Sequence, residues 1–489
     1  MSVNASLSLR FGDGPIEETQ PLMEGSQEQI PSANGDSKNQ PEGGKPGEQE
    51  LQREDLDKED LSSQEGLPVV SIYSLKSSQK IESPAERGFL TFMKTLVATG
   101  VLALPFVIQQ VGLIPAWVLL LVIGYINFRT MQLVDEVANA LNVRKVDFGR
   151  LAEQVTGRKW FRYFTEINVH IMQIGGCLPC LAFDLQYLDK VSCLYGWSAF
   201  CENKPMQVLL ILVLVLPIGS ITDLHYLSIP SGIGLLFQTA FYLTFLVICG
   251  QRIHEYGIAT ESFTAYNFHY LPIAFASILF AYEGIGLLLE IRASVASKKE
   301  FSKVLRYAFV ASTITYTVFG TVGKLAFGDS VEPVIFMNLD QNNKFIVLLE
   351  VGYLFALMIS LPAAIFPPIR IIESWGFLRN WIMDKETNKK SKWKRQFIRQ
   401  PLLLLIVLVA AIAPSFNIVI SLLGGMNFTI LSFVLPVIMY NTQFKNDPKK
   451  RWHRFGNWLI LIAGIILGAC ATVQSIYEIF KPLPEETLV

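Results

Sequence analysis

Histidine and cysteine are both scarce, five and six residues in a chain of 489, and no spacing among them resembles a metal-ligand set. Neither a resident metal nor a cofactor is expected. Charge is thin as well: 17% of residues are Asp, Glu, Lys or Arg, against 51% hydrophobic. The deficit falls in long blocks, which excludes an ordinary soluble chain built on short apolar–polar alternation. No loop gathers a nucleophile, a base and a cofactor motif, so an enzyme is not expected. No ring-forming filter or repeated charge is visible, which argues against a channel. The basic run KKSKWKR at 389–395 is read as a loop between membrane spans and not as a nucleic-acid contact.

What the chain does have is apolar length. A helix crosses a bilayer core of about 30 Å with ~20 mostly apolar residues. Eleven stretches qualify: roughly 89–110, 113–137, 160–188, 206–222, 228–250, 271–291, 304–325, 345–372, 401–422, 425–441 and 456–480. The expected fold is an all-α integral membrane protein with eleven transmembrane helices over 86–481. A tail (1–85) precedes them and a short tail (482–489) follows.

From Met1 to Gly66 there are fifteen acidic and five basic residues with much Gln, Ser, Pro and Gly, too little apolar surface to offset ordering entropy. This tail is expected to be disordered and, lacking an apolar h-region, not a cleaved signal peptide. Lys and Arg cluster in alternate loops: 138–162, 292–306, 370–400 and 441–455 hold twenty-five, the opposite loops and C-terminus about five. That asymmetry predicts a cytosolic N-terminus and an outward C-terminus. ETQPLM at 18–23 resembles an acidic dileucine-type sorting signal. The terminal ETLV looks like a PDZ ligand but falls on the wrong side. Asn4 and Asn427 sit in N-x-S/T triplets, in the tail and in a span, so glycosylation is not expected. Cys177, Cys180, Cys249 and Cys470 fall in spans, where small core packing is the default. Cys193 and Cys201 share an outward loop, where a disulfide between them is plausible.

Two spans are interrupted at their centres. The first holds Thr99, Gly100 and Pro105; the sixth, ILFAYEGIGLLLE, holds Glu283, Gly284 and Gly286. Non-helical backbone at membrane depth is tolerated only where protein or a watery cavity satisfies it. Either break alone has the plainer reading of a kink or a close helix contact. A pair five helices apart instead matches an inverted repeat of five helices, each opening with a helix broken at a binding site. The half-helix start at Gly100 to Ala103 offers N–H groups and a positive dipole end to a carboxylate. Carbonyls around Phe280 to Glu283 can receive an ammonium group. A zwitterionic amino acid carries both charges.

Glu283 is costly near the bilayer centre and is expected to face the interior, neutralised by a proton or a partner. It is read either as a reversible proton carrier or as a protonated brace for the broken helix. Lys94 is read as snorkelling to the interface. Glu166 and His170, four apart on one face, are read as a structural pair, with a proton relay as the alternative. Asp184 and Asp189 are read as a solvated rim near the outer helix end.

At these residues the chain resembles the amino acid/auxin permease family, in its proton-coupled and vacuolar amino-acid transporter branches. The resemblance runs from about Gly88 to Phe480 and is carried by TGVLALPFVIQQVG (99–112) and ILFAYEGIGLLLE (278–290). Weaker echoes are QIGGC (173–177), GTVGKLAFGD (320–329), FPPIRIIE (366–373) and the SLLGG run (421–425). It implies a LeuT-like fold of 5+5 inverted repeats plus one extra helix, and secondary transport of amino acids, often proton-driven. Substrate contacts then fall at Thr99, Gly100, Val101 and Leu102 and at Phe280, Tyr282, Glu283 and Gly284. The chain departs from the family pattern at Ala98, Thr91, EIRA (290–293) and Lys324. The expected partners are an amino acid, protons and membrane lipids, in a lysosomal, vacuolar or plasma membrane. A membrane sensor of amino acids with little flux is the alternative, suggested by the long acidic tail.

Overall fold

The computed structural model of the protein describes residues 85–480 apart from 98, 144–145, 222–227, 260–265, 296, 374–375, 384–390 and 414–415. Contacts divide the chain into Met1–Val69 and Val70–Val489, and the first unit lies wholly outside the described residues. So do the sorting-type string, Asn4 and the ETLV terminus.

The described chain is helical. Helices α1 (Ala85–Leu96) and α2 (Leu104–Val111) flank a 3₁₀ turn, Thr99–Ala103. Then come α3 (Leu113–Ala140), α4 (Phe148–Thr156), α5 (Lys159–Gly175), α6 (Cys177–Leu194), α7 (Lys204–Gly219) and α8 (Ser228–Tyr256). Helices α9 (Leu271–Ala281) and α10 (Ile285–Ser294) flank the second interruption, and α11 (Lys298–Phe327) and α12 (Lys344–Ile372) are long. The last are α13 (Gly376–Ile382), α14 (Lys392–Ile412), α15 (Phe416–Leu423), α16 (Leu435–Gln443) and α17 (Arg451–Phe480). Local chemistry sets several ends. Asp147 and Ser297 cap α4 and α11 by accepting from the backbone N–H groups of Arg150 (2.7 Å) and Glu300 (3.2 Å).

Among the described residues, eight helices or helix pairs are long and apolar enough to cross a membrane, and the protein is a multi-pass membrane protein. The other three expected spans are helical too, with weaker credentials. The span expected at 160–188 is α5 and α6, joined at Gly176. Helix α7 is short. Helix α11 is long but carries Ser312, Thr313, Thr315, Tyr316, Thr317 and Thr321 along its middle.

Small residues bring helices together where apolar side chains give no preference over lipid. Helix α8 packs along α12. A methyl on Gly352 would lie 2.1 Å from the Phe237 ring, and one on Gly234 would lie 2.8 Å from the Ala356 Cβ. Between α15 and α16 the winding widens to π over Gly424–Phe428 and Ile430–Val434, and this stretch packs on α9. The outer face of α17 exposes Trp458, Leu459, Ile462, Ile465, Ile466 and Val473, an apolar stripe suited to lipid. Cys470 is exposed on this helix, whereas Cys177, Cys180 and Cys249 are buried, so the default of core packing fails at Cys470. A disulfide joins Cys193, in the last turn of α6, to Cys201 in the segment between α6 and α7.

The π stretch gives a direct test. A methyl on Gly424 would lie 2.0 Å from the Ala276 carbonyl oxygen, so Gly424→Ala must push α9 away. Overpacking of this kind is expected to cost about 1–3 kcal/mol or more, seen as a lower Tm in thermal denaturation of the detergent-solubilised protein. Gly250→Ala, with no heavy atom within 4 Å, should leave Tm unchanged or slightly raised. Equal Tm values for the two variants would show that the α9 contact is not tight.

Candidate functional site

The two interruptions meet. Helix α1 ends at Leu96, and the 3₁₀ turn Thr99–Ala103 that follows is buried throughout. A Cβ on Gly100 would lie 2.5 Å from the Ala281 Cα and 3.0 Å from its Cβ. Only glycine therefore lets the first break touch the end of α9. Pro105 stands in the first turn of α2, where a missing N–H leaves no intrahelical bond unmade.

The second break covers Tyr282, Glu283 and Gly284, between the end of α9 and the start of α10. The Tyr282 carbonyl accepts from the Asn127 side-chain amide on α3 (3.0 Å), and its hydroxyl donates to Thr313 Oγ1 on α11 (2.8 Å). The Glu283 N–H still reaches back to the Phe280 carbonyl (3.1 Å), and its carboxyl lies beside the Gly286 N–H in the first turn of α10. Phe280 meets the Phe428 ring of the π stretch at 5.3 Å.

One hydroxyl serves both breaks. Tyr316 Oη on α11 lies 2.5 Å from the Leu96 carbonyl oxygen and 2.7 Å from that of Ala281. These carbonyls end α1 and α9, so the negative ends of two half-helix dipoles converge on a single shared proton. From α8, Gln238 Nε2 donates to the Val97 carbonyl (3.2 Å) and to Tyr242 Oη (3.2 Å), and the Tyr242 and Tyr353 hydroxyls are 2.9 Å apart. Thr99 lies against the Cys180 thiol of α6. Each break thus presents the negative end of one half-helix and the positive start of the next.

All the residues expected from the sequence lie on these two segments: Thr99, Gly100, Val101 and Leu102 in the turn, Phe280 at the end of α9, and Tyr282, Glu283 and Gly284 in the second break. The donors that close the breaks, Tyr316, Asn127 and Gln238, were not among them. Asp184 requires a correction. It was expected on a solvated rim, but it is 1% exposed, because α6 runs on for ten residues beyond it to Leu194. Asp189 accepts from the Gln207 amide (2.5 Å) and the Glu202 N–H (3.1 Å). His170 Nδ1 meets the Glu166 backbone carbonyl and not its carboxylate, which pairs with Arg162 at 2.7 Å. Lys94 is exposed. Lys324 is buried and paired with Asp329 at 2.6 Å. Asn427, also buried, donates to Asn168 Oδ1 at 3.2 Å.

Residues 82–477 match the family described as transmembrane amino acid transporter protein. The chain belongs to this family. Among its relatives are vacuolar amino acid transporter 4 of Saccharomyces cerevisiae, 24% identical over 82% of this chain, and amino acid transporter ANT1 of Arabidopsis thaliana, 24% identical over 84%. Another is amino acid transporter AVT3B of Arabidopsis thaliana, 25% identical over 81% of the chain. The match spans 59% of the yeast protein's own length and 96% and 95% of the two plant proteins. These relatives are named as transporters and not as enzymes. A solved structure, MhsT in complex with L-phenylalanine, is similar at 12% identity with a TM-score of 0.45, over 79% of this chain and 98% of that one.

Tyr316→Phe keeps the ring and removes the shared proton. It leaves the buried Leu96 and Ala281 carbonyls without this donor, at an expected cost of about 1–3 kcal/mol. A clear drop in Tm of the purified protein is expected; no drop would mean that the two carbonyls find another donor.

Proposed function

We propose that the protein is a secondary active transporter of amino acids, coupled to protons, working by alternating access around the two breaks. The observation that carries this reading is the contact of Gly100 with Ala281, which joins the broken first and sixth expected spans at one place. There a zwitterion finds both charges answered. Half-helix starts and the 3₁₀ turn Thr99–Ala103 suit its carboxylate, while the carbonyls converging on Tyr316 suit its ammonium group. Thr99, Gly100, Val101, Leu102, Phe280, Tyr282, Glu283 and Gly284 are the proposed substrate contacts. Glu283 is the proposed carrier of a coupled proton.

Counting α5 with α6 as one span bent at Gly176, and adding α7 and α11, brings the eight apolar spans to the eleven of a 5+5 inverted repeat with one extra helix. The names of the relatives support an amino-acid substrate, and the yeast relative's name favours a vacuolar or lysosomal membrane over the plasma membrane. The segregation of Lys and Arg supports a cytosolic N-terminus.

The test is uptake of labelled amino acids into proteoliposomes, with and without an imposed pH gradient. Accumulation above equilibrium is expected only with the gradient, and Glu283→Gln should lower it at least tenfold. Saturable binding with no accumulation under any gradient would replace the transporter with a sensor. Full accumulation and unchanged pH dependence in Glu283→Gln would make Glu283 a structural brace.

A further inference from the structure

Asp184 is 1% exposed, and neither of its carboxyl oxygens has a hydrogen-bond partner among the described residues. On α6 it shares a helical face with Cys180, four residues before it, and Tyr187, three after. Cys180 lies against Thr99 of the first break and close to Tyr353. Tyr187 donates to Glu350 (2.8 Å), and its ring packs at 5.6 Å on Phe336, in the turn Ile335–Asn338. Phe336 is fully buried and also packs on Phe183, Phe241 and Tyr353 at 4.9, 4.4 and 5.4 Å. Asp184 therefore stands on α6 between Cys180, which touches the first break, and Tyr187, which touches the aromatic turn.

Among the described residues, the elements packed against α6 offer it no counter-charge. Helix α12 contributes Tyr353 and Glu350, the latter engaged by Tyr187 and by the Gln341 amide at 3.2 Å. On α14, Arg395 and Arg399 face Glu373, and Lys394 lies over the Trp381 ring. Helix α15 presents Asn417, bonded to the Pro333 carbonyl, and α7 has its one lysine, Lys204, at its first residue. Helix α5 holds Glu166, paired with Arg162, and His170. Beside Asp184 itself stands the Cys180 thiol. A lone carboxylate in such a setting is costly, whereas the acid form needs no partner charge.

We propose that Asp184 carries a second coupled proton, held while the Phe336 turn covers it and given up to water when the bundle opens on that side. Only the O–H bond is made and broken, and the carboxylate is left facing water. The role rests on the proton-coupled transport reading above.

The test compares two measurements in the same proteoliposomes: exchange of labelled for unlabelled amino acid without a gradient, and accumulation under a gradient of about one pH unit. Each coupled proton contributes about tenfold to the accumulation ratio per pH unit. Asp184→Asn should keep exchange and lose about tenfold in accumulation. Asp184→Glu, which restores a carboxyl, should recover it. Wild-type accumulation in Asp184→Asn overturns the proposal. So does loss of exchange together with accumulation, which would make Asp184 a packing or substrate-binding residue, and so does a Glu variant that exchanges without recovering. If the unsubstituted protein exchanges but never responds to the gradient, proton coupling itself falls, and this role with it.

Discussion

A carbonyl released from a helix inside hydrocarbon has no water to turn to, and this constraint decides where polar side chains must stand in the bundle. At the first break the Leu96 and Val97 carbonyls are met by Tyr316 and Gln238; at the second, Ala281 and Tyr282 are met by Tyr316 and Asn127. Every donor comes from another helix: α11, α8 or α3. Neither interrupted span can therefore reach its broken form alone. The breaks are properties of the assembled bundle, and the glycines and proline only lower the cost of forming them.

The two halves of the second broken span are held differently. Helix α9 ends on the single proton of Tyr316, shared with α1. Helix α10 is tied to α3 by Arg292, which donates to Asp135 (2.7 Å), to Asn139 (2.7 Å) and, just beyond α3, to the Val143 carbonyl (2.8 Å). Arg292 and Asp135 are both largely buried, and separating such a pair leaves two charges unanswered. In hydrogen bonds alone, displacing α1 from α9 costs less than displacing α10 from α3. If the breaks are hinges, α10 and α3 are more readily carried together.

How much of this could be read from the sequence depends on what each residue interrupts. Thr99, Gly100, Glu283 and Gly284 stand out because they break apolar runs of spanning length. Tyr316 does not, since it sits among Ser312, Thr313, Thr315 and Thr317, and only the packing of α11 against both breaks selects it. Asn127 and Gln238 are likewise amides within long spans that interrupt no helix, so nothing in the run marks them. Asp184 was misplaced for a related reason. Asp189 and Lys190 suggest that the chain has left the membrane, yet the helix continues to Leu194, so position relative to the apolar run was a poor guide to burial.

The π-wound stretch obeys the same constraint with the opposite mechanical result. The Gly424 carbonyl takes the Thr429 backbone N–H in the wider winding and the Thr429 hydroxyl at 3.1 Å as well, so it is satisfied within the segment itself. What the widening gains is contact. Gly424 reaches the Ala276 backbone, and a Cβ on Gly468 of α17 would lie 2.5 Å from the Gly425 carbonyl oxygen. Main chain then lies close to main chain on both sides, and no rotamer change can relieve a shift there. Main chain also meets main chain where Gly100 touches Ala281, but the carbonyls released at the breaks are met by side chains on neighbouring helices, which can swing and rebond. The polar repairs thus divide the bundle into a part that resists adjustment, where α9, the π stretch and α17 meet, and a part around Tyr316 where bonds can be exchanged.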